Sequence, residues 1–61
     1  MTELPRVGAP AARALTAAGH PTLESLAGVV AADLLALHGV GPRAVRIIDD
    51  ALTTAGLPPL R

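Results

Sequence analysis

The chain contains no cysteine, no phenylalanine, tyrosine or tryptophan, and no lysine. Without cysteine, disulfides and thiolate metal sites are excluded. Without aromatic rings, burial falls to Leu, Val, Ile and many alanines, a composition that favours closely packed helices over a sheet. Catalytic groups are equally scarce. Ser25 has no identifiable base, and Asp49 and Asp50 are helix neighbours pointing about 100° apart, so they do not converge as an acid–base pair. With 61 residues there is little room for a pocket, and the sequence predicts a non-enzyme. The length fits one domain spanning 1–61, with an expected stability on the order of 3–5 kcal/mol.

Charge of one sign is not in excess. Arg6, Arg13, Arg43, Arg46 and Arg61 balance Glu3, Glu24, Asp33, Asp49 and Asp50, for a formal net charge of zero. A neutral chain has no long-range field with which to steer an anionic polymer, so any phosphate contact must be local. Long hydrophobic runs are missing too. The stretch from Leu26 to Val40 is broken by Asp33 and His38, and the N-terminal residues form no hydrophobic signal core. These features predict a cytoplasmic monomer without membrane contact, nucleoid-associated where it binds DNA.

What is present is helix punctuation. Pro10 opens a helix to Ala18 with Gly19 as its stop. Thr22 caps a short helix over Leu23 to Ala27, ended by Gly28. Ala31 to Leu37 forms a third, with Val30 a poor cap and Gly39 beyond its end. The fourth runs from Pro42 to Ala55 and is closed by Gly56. Its apolar face is Ala44, Val45, Ile48, Ala51, Leu52 and Ala55, with Ile47 at the border; Arg43, Arg46, Asp49, Asp50 and Thr53 face solvent. Asp49 and Asp50 stand within reach of Arg46. Leu57 is expected to latch onto the core, and residues 58–61 to fray. The predicted fold is all-α, a compact bundle of four to five short helices.

One sequence feature repeats. Setting Leu4 on Leu37 also sets Val7 on Val40, Gly8 on Gly41, Ala11 on Ala44, Arg13 on Arg46 and Leu15 on Ile48. In each copy a glycine turn opens into a helix, an arrangement that aims free backbone N–H groups at one point and attracts phosphate. In the second copy Gly39 and Gly41 permit the turn's dihedrals, Val40 plugs the gap between helices, and the amides of Gly41, Arg43 and Ala44 face outward. Arg43 and Arg46 flank the same point. In the first copy Arg6, Gly8 and Arg13 hold the corresponding places, either as a second phosphate contact or as packing alone. His20 and His38 lack partners for a metal site, and no cofactor is expected.

The spacing Leu34–Leu37–Val40–Gly41–Ala44–Ile48–Leu52, with Thr22-Leu23-Glu24-Ser25-Leu26 and Ala32 to Leu37 before it, resembles the helix-hairpin-helix DNA-binding domain at the C-terminus of the bacterial RNA polymerase α subunit. The likeness covers about Leu4 to Leu60. It implies a SAM-like fold with two pseudo-repeated helix-hairpin-helix motifs that grips the minor-groove side of duplex DNA through its backbone. The hairpin amide role passes to Gly39 and Gly41, and the helix-start cation to Arg43. Some members of the wider family bind a monovalent cation on the hairpin carbonyls. Where the polymerase domain carries an arginine at the start of its first long helix, this chain has Pro10, with Arg6 and Arg13 on either side. The expected function is weak, non-specific binding to double-stranded DNA. The alternative is a protein-interaction or structural module, its partner drawn from transcription or repair machinery and its contact an apolar patch near Ile47 or Leu60.

Overall fold

The computed structural model describes residues 3–61. Among them there is no strand: three α-helices, α1 (Ala9–Ala17), α2 (Ala31–Leu35) and α3 (Pro42–Thr54), are joined by a 3₁₀ turn over Glu24–Leu26. Among the described residues no helix is long and apolar enough to cross a membrane.

The sequence repeat is first of all a repeat of buried positions. Ala11 and Leu15 on α1, and Ala44 and Ile48 on α3, belong to one buried cluster with Leu23, Leu26, Leu34, Val40 and Leu52. Val7, the counterpart of Val40, packs against that cluster. Both long helices end alike. The N–H of His20 donates to Leu15 O at 2.8 Å and that of Gly19 to Thr16 O at 3.1 Å; the N–H of Leu57 donates to Leu52 O at 2.9 Å and that of Gly56 to Thr53 O at 3.1 Å. This paired pattern satisfies the last carbonyls of each helix and turns the next residue back toward the core. Leu57 accordingly packs on the cluster.

Several boundaries differ from expectation. The helix expected over Leu23 to Ala27 is only the 3₁₀ turn. Thr22 and Ser25 explain its tightness: the Ser25 N–H donates to Thr22 Oγ1 and the Thr22 N–H to Ser25 Oγ, both at 3.3 Å. The reciprocal pair closes one turn and then releases the chain. The third helix ends at Leu35 rather than Leu37. Beyond it, Leu37 N–H donates to Leu34 O and Val40 N–H to Leu37 O, three-residue closures that wind the chain into the next turn. Ala55 is the C-cap of α3 and exposed, not part of the buried face.

Residues 58–61 do not fray. Gly28 N–H donates to Pro58 O at 3.3 Å, Ala31 N–H to Arg61 O at 2.8 Å, and Arg61 N–H to Val29 O at 3.0 Å. The Arg61 carbonyl thereby serves the start of α2, where Val30 offers no side-chain cap. Asp49, expected on the solvent face beside Arg46, instead accepts the Leu60 N–H on Oδ1 at 3.2 Å. Prolines withhold a donor but still offer a carbonyl, so a Pro-rich tail can dock through its oxygens. Asp49→Ala should therefore release the tail: a loss of about 1 kcal/mol in urea denaturation, with faster hydrogen exchange at the Leu60 amide.

Candidate functional site

The two glycine turns meet. Gly8 is the N-cap of α1 and Gly41 the N-cap of α3, and neither helix start has a side-chain cap. Gly39, in the second turn, lies against the first turn of α1. A Cβ built on it would stand 3.0 Å from the Pro10 carbonyl oxygen and 3.3 Å from its carbon. The two turns thus share one wall and open onto one cleft of about 440 Å³. Arg6, Val7 and Gly8 line it from the first turn; Gly39, Gly41, Arg43, Ala44 and Ile47 line it from the second.

The cleft is rich in unused donors. In α3 the first closure is Val45 N–H to Gly41 O at 3.1 Å, and in α1 it is Ala12 N–H to Gly8 O at 2.9 Å. Ahead of these, the N–H groups of Gly41, Arg43 and Ala44, all of which line the cleft, meet no acceptor among the described residues. A helix start with such donors carries partial positive charge. Arg6 and Arg43 are exposed and have no carboxylate partner among the described residues. Among the described residues none that lines the cleft is acidic. The chain is neutral as a whole, yet this one concavity carries two guanidinium groups and no anion.

The structure sorts the nine residues read from the sequence. Gly39, Gly41, Arg43, Ala44, Arg6 and Gly8 line the cleft together. Val40 lies beneath the turn at 6% exposure, and its N–H is spent on Leu37 O, so it shapes the turn without offering a donor. Arg46 and Arg13 lie elsewhere. Arg46 borders a second groove of about 270 Å³ with Leu35, Val45, Asp49 and Leu60, and Arg13 a third with Ala12, Thr16 and Ala17. Helix geometry explains the split. Three residues advance about 300° around a helix and four advance about 400°, so Ile47 follows Arg43 on one side while Arg46 falls to the other. Arg13, the counterpart of Arg46, leaves the cleft in the same way. The i+4 relation to Arg43 was the signal that would have placed Ile47 in the site.

Gly39 and Gly41 also differ from expectation. Only Gly39 is left-handed, at φ +94°; Gly41 is extended, at φ −110° and ψ 178°. Of the histidines, His20 is tied by Nδ1 to Ser25 O at 2.9 Å, and neither lines the cleft. Among the described residues no cluster of three or more His, Cys, Asp or Glu side chains is placed to hold a metal. No family model matches the chain, and neither the curated proteins nor the solved structures include a significant match to it.

Proposed function

We propose that this chain is a DNA-binding module of helix-hairpin-helix type, holding backbone phosphate in the cleft between its two turns with little regard for base sequence. The observation that carries this reading is Gly41. Its φ is open to any residue, and nothing lies within 4 Å of where its Cβ would be. Neither dihedral nor crowding calls for glycine there, and the missing Cβ leaves the main chain at the start of α3 open to a ligand.

The chemistry fits a phosphodiester. Free amides at the start of α3 and guanidinium groups on Arg6 and Arg43 supply charge-assisted hydrogen bonds to anionic oxygens. The chain has no Phe, Tyr or Trp on which to stack an unpaired base, and neither histidine lines the cleft, which favours duplex over single-stranded nucleic acid. Two cleft arginines displace few counterions, so binding should be micromolar or weaker, with a logarithmic salt slope of about −2.

Fluorescence anisotropy with a labelled duplex at two low salt concentrations tests the proposal. Arg43→Ala should weaken binding roughly fivefold or more and flatten the salt slope by about 1. Arg46→Ala, outside the cleft, should stay within about twofold. Absence of binding even at the lower salt would refute the assignment.

A second reading has its own observation. Leu35 is 45% exposed and Val30 43%, and Leu35 borders the groove shared by Val45 and Leu60. Exposed aliphatics of this size suit a protein partner. In an amide-resolved DNA titration, the DNA reading requires shifts centred on Gly41, Arg43 and Ala44, with Leu35 and Leu60 unmoved.

A further inference from the structure

Ile47 is the second residue of the cleft that the fold does not explain. The apolar side chains of α3 have a clear division of labour: Ala44, Ile48 and Leu52 are buried in the core, and Val45 and Ala51 pack against it. Ile47 does neither. It is half-buried, and the surface it lines is the cleft that also holds Arg6 and Arg43. Val7, also half-buried, adds aliphatic surface from the first turn. The concavity therefore combines donors and cations with a hydrocarbon wall.

A nucleic-acid strand alternates in the same way. Each phosphate is followed by a sugar, and the sugar carries either a bare methylene or a hydroxyl at its 2′ carbon. Ile47 lines the cleft one helical turn beyond Arg43, so a strand whose phosphate met the amides at the start of α3 would set its adjoining sugar beside Ile47. A methylene meets hydrocarbon there. A 2′-hydroxyl would surrender its water to a side chain that has no polar atom, leaving a donor and an acceptor unpaired.

Building on the DNA-binding reading, we infer that Ile47 is a specificity-determining residue that selects deoxyribose over ribose, so the cleft takes duplex DNA in preference to duplex RNA of the same sequence. No base contact is involved. The discrimination lies in the sugar, where the 2′-hydroxyl is the group that distinguishes the two polymers.

The test measures anisotropy of matched duplex DNA and duplex RNA against the wild type, Ile47→Val and Ile47→Thr. Valine keeps the hydrocarbon wall; threonine has nearly the same shape but offers a hydroxyl as hydrogen-bond partner. The wild type should bind DNA about tenfold more tightly than RNA. Ile47→Val should preserve that ratio, and Ile47→Thr should reduce it to about twofold, chiefly by improving RNA. Equal binding of both duplexes by the wild type, or a ratio unchanged in Ile47→Thr, would overturn the role of Ile47 while leaving DNA binding in place. A preference set by helix shape alone would give that unchanged ratio. Failure of the wild type to bind either duplex would overturn both proposals.

Discussion

Gly39→Ala is expected to remove most of the stability of this domain. Two costs coincide at that position. The residue holds φ +94°, where a Cβ costs roughly 1–2 kcal/mol. The new methyl group would also stand 3.0 Å from the carbonyl oxygen of Pro10, an atom fixed in the first turn of α1. Relieving that overlap means parting the two turns, for about another 1–2 kcal/mol. A small, alanine-rich core has only about 3–5 kcal/mol to lose. Gly19→Ala separates the two contributions: its φ is +90°, but nothing lies within 4 Å of its Cβ position, so only the conformational cost applies. Urea denaturation of both variants makes the comparison. Equal losses would show that the contact between the turns yields freely and does not fix the cleft.

The helices were legible where their causes are local. The period of Ala44, Ile48 and Leu52 places α3, and Gly19 and Gly56 mark the two helix ends because each stop depends on a handful of adjacent residues. The tail was illegible for the opposite reason. Its order comes from main-chain bonds to Val29 and Ala31 and from the Asp49 carboxylate, none of which leaves a pattern in Leu57-Pro58-Pro59-Leu60. The short 3₁₀ turn fell between the two cases. Thr22 announced a cap, but the answering Ser25 that limits the turn to three residues is a weaker signal than Glu or Gln.

The cleft shows the same division. Gly41 and Arg43 are adjacent in sequence to the helix they open, and their proximity follows from local geometry. That Arg6 stands across from Arg43 depends on how α1 and α3 share a core, and the repeat of Val7, Ala11 and Leu15 was its only trace. That Ile47 lines this cleft while Arg46 borders another groove was hard to read because of residue type. A charged side chain on a polar face draws attention as a phosphate ligand, whereas an aliphatic one at the edge of an apolar stripe reads as core. One residue's difference in helical spacing, about 100°, decides between them.

Gly41→Asp should move stability and affinity in opposite directions. The N-cap of α3 is extended, the geometry in which a capping aspartate accepts an N–H from the second or third helical residue, here Arg43 or Ala44. No neighbour obstructs the new side chain. The gain over glycine is a few tenths of a kcal/mol from the hydrogen bond and about 0.3–1 kcal/mol from a negative charge at the positive end of the helix. In a domain of this size that raises Tm by about 3–8 °C. The same carboxylate occupies the place proposed for phosphate, consumes one of its amides and repels it, so affinity for duplex DNA should fall at least tenfold. Gly41→Ala supplies the complementary control: a methyl group without an acceptor, lowering stability by about 0.5–1 kcal/mol. Thermal melts and anisotropy on the three proteins decide the matter. Unchanged DNA binding by Gly41→Asp would remove phosphate from the start of α3, and a lower Tm would mean that the amides of Arg43 and Ala44 are not free to be capped. Higher Tm together with lost binding in Gly41→Asp would tie the glycine at this position to the ligand proposed for the cleft and not to the stability of the fold.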